Sequence, residues 1–343
     1  MAGDRDGLIV LDHGAGGGMS RELVVDLIAT GLGEVYVGEW QDSTLLAVEP
    51  GTIALTTDSF VVDPPFFGGG DIGKLAVTGT VNDLAVCGAR PLYLTLAMII
   101  EEGFPLADLA TIVASVRACA EEAGVRIAAG DTKVVRKGEA DRIFLNTAGI
   151  GVLDRPARPD SRAIVPGDQL IVTGYLGDHS IHLLSLRAGL GFESRVPSDC
   201  AVLSGVIGEL LDAFGPDVHA MRDITRGGLG TVLNEFAADC GYGLHIDGGA
   251  LPVRPETAMA ADMLGVDVLY LANEGNLCLA VAPRAAAGVV DLLRRHRYTA
   301  QARVVGTVVT GGGVTGGGVL MDLPGGGRRD VELLYGAQLP RLC

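Results

Sequence analysis

The 343-residue chain is poor in aromatic side chains: Trp, Tyr and Phe make up 5% of it, with a single Trp. A core of stacked rings is excluded. Packing falls to Ala, Val, Leu and Ile, within a hydrophobic share of 48%. Positive charge is short as well. Lys and Arg number 26 against 42 Asp and Glu, a formal net charge of −16. That balance lacks the basic stripe a nucleic-acid surface needs, so no nucleic-acid partner is expected. Long apolar runs are missing, since the longest, Leu94–Ile100, is too short to cross a bilayer. Met1–Asp6 is polar and carries no apolar signal segment. The expected compartment is the cytoplasm, with no membrane partner. Paired cysteines are missing too. Cys87, Cys119, Cys200, Cys240, Cys278 and Cys343 include no C-x-x-C, and their spacing suits neither a zinc site nor a disulfide framework. The first five read as small buried hydrophobes.

Several catalytic signatures are likewise absent. There is no H-E-x-x-H, no G-x-S-x-G and no Rossmann fingerprint with a downstream acid. Gly68–Lys74 almost spells a Walker A loop, but Leu75 stands where that loop needs a hydroxyl. His179 and His182 form an H-x-x-H pair with no third ligand at metal spacing, and read as structural.

Glycine is plentiful, at 51 residues, and clusters at Gly14, Gly16–Gly18, Gly68–Gly70, Gly311–Gly313, Gly316–Gly318 and Gly325–Gly327. Each cluster is flanked by apolar periodic sequence and reads as a tight loop. Strands are predicted at Leu8–Leu11, Thr52–Thr56, Leu92–Ile100, Arg126–Ala129 and Phe144–Gly149. Between them, helices are predicted from Ser20, from an Asp71 cap to near Gly88, and from Pro105 to Gly124. Leu153–Asp160 breaks the pattern with Pro156 and Pro159 and reads as a linker. The second half repeats the alternation: strand Gln169–Thr173, a helix after His179, helices Leu203–Phe214 and Gly230–Cys240, strand Leu277–Val281, helix Ala285–His296 and strand Arg303–Val309. Alternating elements in both halves give a two-domain chain of α/β and α+β class.

Four aspartates stand at or near the ends of apolar segments: Asp42, Asp58, Asp83 and Asp131. Carboxylates at strand ends can converge on one rim of a sheet. Hard divalent cations take oxygen ligands and bridge to phosphates. Asp83 lies inside an otherwise apolar helix, where a carboxylate is costly unless a metal or donor satisfies it. The four together point to a metal–nucleotide site. The glycine loop Gly68–Gly70 before a helix can present N–H groups to phosphate, and His13–Gly18 offers a second such loop. Met221–Leu229 supplies either an anion site or a surface ion pair between Arg222 and Asp223. Glu274, in a turn between apolar runs, could act as a general base. The last residue is Cys343, a thiol beyond a Gly336 hinge and a stiffening Pro340. Position alone leaves two readings open, a frayed end or a carrier arm for covalent chemistry.

Certain stretches, taken in order, carry a resemblance to a known family. Asp12-His13-Gly14, Thr57–Val62, Phe66–Ala76, Gly79–Leu84, Gly130–Val135, Arg222–Leu229, Ala272–Gly275 and the terminal Pro340-Arg341-Leu342-Cys343 resemble the HypE family of hydrogenase maturation proteins. The resemblance implies an aminoimidazole ribonucleotide synthetase-like (PurM-like) fold. Residues 1–155 would form an N-terminal domain that binds ATP and Mg²⁺ and pairs into a homodimer. Residues 156–335 would form a C-terminal α+β domain, and 336–343 a flexible tail. It implies further that Cys343 accepts a carbamoyl group from the carbamoyltransferase HypF. ATP-dependent dehydration then gives a thiocyanate, and the cyano group passes to iron on the HypC–HypD complex as a cyanide ligand for [NiFe]-hydrogenase. On this reading Asp42, Asp58, Asp83 and Asp131 hold Mg²⁺ and the nucleotide, with Asp71, Asn82 and His13 beside it. Lys133 stabilises transferring charge, Glu274 removes a proton from nitrogen, and Cys343 carries the group. Two departures stand out: Gly68 replaces a proline usual before the two glycines, and Asp247-Gly248-Gly249 replaces a glutamate-bearing loop.

Overall fold

A computed structural model describes residues 17–22, 44–48, 51–311 and 317–335. The predicted strand Leu8–Leu11 and most of the helix predicted from Ser20 lie outside them. Ser20 itself falls inside a short helix, α1 (Gly17–Arg21), rather than capping one.

The first half is built on five strands: β1 (Thr44–Val48), β2 (Gly51–Phe60), β5 (Arg90–Glu101), β6 (Arg126–Val135) and β7 (Ile143–Val152). Their order is β1-β2-β7-β5-β6, antiparallel except for the parallel β5–β6 pair. A two-residue hairpin, β3 (Phe66–Phe67) with β4 (Gly70–Asp71), lies between β2 and β5 in the chain. Strand alternation decides the faces. On β7, Ile143, Leu145, Thr147 and Gly149 are buried, while Phe144, Asn146, Ala148 and Ile150 point the other way. The buried face carries helices α2 (Ile72–Val86) and α3 (Leu106–Ala123). Pro105 opens α3 and Gly124, at φ 68°, closes it in the left-handed conformation, as the sequence predicted.

Helix α2 is the centre of the molecule. All of its residues except Lys74 are buried, which a surface helix with one apolar stripe would not show. Gly73 lets it approach α3, where a Cβ would stand 2.5 Å from Ile112 O. Gly149 lets it approach the sheet, where a Cβ would meet Thr80 Cγ2 at 2.7 Å. Its remaining side faces the second half.

That half is a seven-stranded sheet from β8 (Gln169–Val172), β9 (Val218–Asp223), β10 (Gly243–Asp247), β11 (Leu277–Val281), β12 (Arg303–Val309), β13 (Val319–Asp322) and β14 (Arg328–Asp330), ordered β14-β13-β10-β12-β8-β11-β9. Both faces are covered, so β11 is apolar at every position. Leu277, Leu279 and Val281 pack with α5 (Ser204–Phe214) and α8 (Pro283–Leu293), while Cys278 and Ala280 pack with α6 (Gly228–Cys240). Helices α4 (Asp178–Ala188) and α7 (Pro255–Leu264) complete the half. Cys119, Cys200 and Cys278 are buried as expected, whereas Cys87 and Cys240 are only half-buried. Among the described residues no helix is long and apolar enough to cross a membrane.

Candidate active site

The antiparallel pairing of β11 with β8 and β9 brings three loops to one end of the second sheet. Thr173–Gly177 follows β8, Ile224–Gly227 follows β9, and Asn273–Asn276 precedes β11. Asn276 ties the first and third together. Its Oδ1 accepts Thr173 N–H at 3.1 Å, Thr173 Oγ1 at 2.8 Å and Gly174 N–H at 2.8 Å. Asn273 Oδ1 accepts Gly177 N–H at 3.0 Å, and its Nδ2 donates to Tyr175 O and Asp199. In the first loop's helix, Asp178 accepts from Arg254 Nε at 2.6 Å and Thr257 Oγ1 at 2.7 Å. Its burial pushes the carboxyl upward, against those bonds.

The same end of the sheet meets α2. Asn82 Nδ2 donates to Ala201 O at 3.0 Å, and Leu203 N–H donates to Asn82 Oδ1 at 2.9 Å. Thr78 Oγ1 lies 3.1 Å from Cys200 Sγ. Burial raises the Cys200 thiol far above the usual range, so it is inert. The glycine loop is held from the second half as well. Gly68 N–H donates to His182 Nε2 at 2.7 Å, Ser198 N–H donates to Gly68 O at 2.8 Å, and His182 Nδ1 donates to Val196 O at 2.7 Å. Both histidines are buried. His179 meets Ser198 Oγ at 2.8 Å, and burial lowers its pKa to about 3, which keeps it neutral. The proline usual at position 68 has no N–H to give His182.

On the first half, Asp58 and Thr56 face α2 from β2. Thr56 Oγ1 donates to Asp83 Oδ2 at 3.1 Å, and Asp58 Oδ2 stands 3.5 Å from where a Gly79 Cβ would be, one helical turn before Asp83. Two of the four predicted aspartates therefore lie at the β2–α2 contact. Both oxygen sets suit a hard cation, while the Phe60 ring packs against Gly79, 2.9 Å from where a Cβ would stand. The strands run further than the sequence suggests, so Asp58 and Asp131 lie inside β2 and β6 rather than just past a strand. Asp131 stands in register with Ala97 on β5, and β6 is three strands from β2, about 14 Å at ordinary strand spacing. Lys133, two residues on, is exposed on that edge strand. His13, Asp42 and Cys343 lie outside the described residues. Among the described residues no three His, Cys, Asp or Glu side chains form a metal-holding group.

Other predicted residues have structural partners. Asp71 caps α2, with Oδ1 accepting Gly73 N–H at 2.8 Å and Lys74 N–H at 2.9 Å, while Oδ2 accepts from Ser115. Asn82 spends its amide on the second half. Arg222 and Asp223 are buried rather than on the surface, and Arg222 pairs with Glu235 at 2.6 Å. Glu274 is buried beside Asp199, whose Oδ1 accepts Glu274 N–H at 3.0 Å. Sequence reasoning missed Asp178, Asp199, Asn273 and Asn276. Asn273 and Asn276, flanking Glu274 in one turn, were the signal available.

The chain is similar to known proteins over nearly its whole length. Residues 40–153 match the N-terminal domain of AIR synthase related proteins, and 165–319 match their C-terminal domain. The carbamoyl dehydratase HypE of Azotobacter vinelandii is 43% identical over 339 residues, covering 99% of this chain and 98% of that protein. A crystal structure of HypE in complex with ATP is similar at 41% identity and a TM-score of 0.82, over 98% of this chain and all (100%) of that one. HypE in a crystal structure of the HypE–HypF complex is similar at 42% identity and a TM-score of 0.84, over 91% of this chain and 99% of that one. With both domains matched and this identity held over nearly its full length, the chain belongs to the HypE family of carbamoyl dehydratases, on the AIR synthase fold.

Proposed function

We propose that the protein dehydrates an S-carbamoyl group on Cys343 to an S-cyanate at the expense of ATP. The observation that carries this is that a single strap, Ser198–Leu203, joins α2, which bears Asp83 and packs against Asp58 of β2, to the Glu274 turn. Hydroxide is a poor leaving group from an amide carbon. Transfer of the γ-phosphoryl group to the carbamoyl oxygen makes phosphate the leaving group. Loss of the nitrogen protons and cleavage of the C–O bond then leave the nitrile on sulfur, with ADP and phosphate as products. Glu274 takes a proton from nitrogen. Lys133 offsets charge on the transferring group. Asp58 and Asp83, with Asp42 and Asp131, would hold Mg²⁺, which would offset charge on the nucleotide phosphates.

The partner chemistry follows from the same reading. A HypF-type carbamoyltransferase loads Cys343, and a HypC–HypD-type iron carrier unloads it, in the cytoplasm. A second copy of the chain covers the open face of the first sheet, where Leu55, Ile150 and Tyr93 form one register row and are 40%, 39% and 38% exposed. A large apolar row left open is what a partner surface would use.

Cys343→Ala tests the carrier assignment. The variant is expected to bind ATP as the wild type does and to support no hydrogenase maturation. Full maturation with Cys343→Ala would refute the assignment.

A further inference from the structure

The strap Ser198–Leu203 runs between the helix that bears Asp83 and the turn that bears Glu274. Thr78 and Asn82 clamp one side of it to α2. On the other side, Ala201 N–H donates to Glu274 O at 3.4 Å. The two backbones cross so closely that any Cβ on Gly275 would collide with Asp199 O. Asp199 spends both carboxylate oxygens on the turn. Oδ1 accepts Glu274 N–H at 3.0 Å and Oδ2 accepts Asn273 Nδ2 at 2.7 Å. Both partners are donors.

We infer that Asp199 is a positioning residue whose ionised carboxylate fixes the Asn273–Gly275 turn and with it the Glu274 carboxyl. The inference rests on Glu274 being the base of the proposed reaction. An amide in place of Asp199 offers one acceptor and one donor, so it must set an N–H against either Glu274 N–H or Asn273 Nδ2. A protonated carboxyl meets the same conflict. The charged and titratable groups around Asp199 are few. Asp178, paired with Arg254, faces it from α4. Glu274 lies on the turn, and inert Cys200 and the Lys74 ammonium that acts on it lie toward α2. Neutral His179 stands behind Ser198. Burial outweighs the bonds from Glu274 and Asn273 and raises the Asp199 carboxyl to about 6. Its proton therefore arrives within the range where an assay can be run.

The test is single-turnover dehydration of the full-length, S-carbamoylated protein with Mg·ATP, followed from about pH 5 to about pH 8. Asp199→Asn and Glu274→Gln are run beside the wild type. A small misplacement of a reacting group costs up to about 100-fold in rate. Asp199→Asn is expected to slow the step about 10- to 100-fold, to leave ATP affinity within about twofold, and to remove one proton from the acid limb. In the wild type that limb is expected to set in near pH 6, where Asp199 takes its proton. A wild-type rate with an unchanged limb in Asp199→Asn overturns the inference, as does an equal loss of ATP affinity. Full rate in Glu274→Gln overturns the base assignment instead, so the two failures are distinct. If Asp199→Asn does not fold, the wild-type profile decides: a rate that stays flat through about pH 6 overturns the inference.

Discussion

Asn82→Ala separates two roles that sequence reasoning could not. Asn82 sits one residue before Asp83, as a nucleotide ligand would. Yet its side chain is 3% exposed, and both ends bond to the backbone of the second half, Ala201 O and Leu203 N. Those two groups lie 119 and 121 residues away in the chain. Truncation leaves a buried carbonyl and a buried N–H without a partner. Each costs about 1–3 kcal/mol, so the variant should lose about 2–6 kcal/mol. At about 2.1 cal/mol/K of unfolding entropy per residue, this 343-residue chain shifts by about 1.4 °C per kcal/mol, so the melting midpoint should fall by about 3–8 °C. Asn82→Asp should lose at least as much, because it buries a charge. One oxygen still accepts Leu203 N–H, while the other faces Ala201 O. Differential scanning calorimetry reads the midpoint, and titration with a non-hydrolysable ATP analogue reads the site. A midpoint within about 2 °C of wild type, together with lost nucleotide affinity, would refute the clamp and return Asn82 to the nucleotide.

Three further predictions concern charge, pH and the root of the tail. Asp83→Asn keeps volume and an acceptor for Thr56, so it should fold normally and lose Mg-dependent ATP hydrolysis by at least about 100-fold; unchanged turnover removes Asp83 from the metal site. The folded pKa of His179 is depressed to about 3 from the ordinary 6.5. Only the unfolded chain takes that proton as pH falls from 6.5 toward 3, so the wild type should lose about 1.4 kcal/mol per pH unit relative to His179→Gln. Urea midpoints at several pH values measure the difference, and a constant gap would show that His179 is not held neutral. Gly17, at φ +73°, has no room for a Cβ, which would stand 2.6 Å from Leu334 O, and Gly18 N–H donates to that oxygen at 2.8 Å. Gly17→Ala should release the segment, raising chymotryptic cleavage at Tyr335; an unchanged cleavage rate would count against this seat.

Legibility followed the range of the contacts. Helix α3 could be read from Pro105, its apolar spacing and Gly124 because each signal is local. So could the Asp71 cap, which bonds two and three residues ahead. Strand β6 was cut short at Ala129 because Gly130-Asp131 looks like a turn. In the fold the segment continues beside β5, since Gly130 lets the chain pass against Leu96 O. Helix α7 went unread although Pro255 opens it, because exposed Met259 and Met263 blur its apolar stripe. The aspartates are visible as residue types, and the structure places Asp58 and Asp83 at the same β2–α2 contact. The roles of Asn82, Asp199 and His182 depend on partners 75 to 121 positions away, and no local pattern announces those.

The central claim is most directly tested by mass spectrometry of the Cys343 peptide. The full chain is produced together with its carbamoyltransferase and analysed before and after Mg·ATP. A carbamoyl adduct on Cys343 that loses one water only when ATP is present is the predicted result. An unmodified Cys343, while the carbamoyltransferase is demonstrably active, would contradict the account.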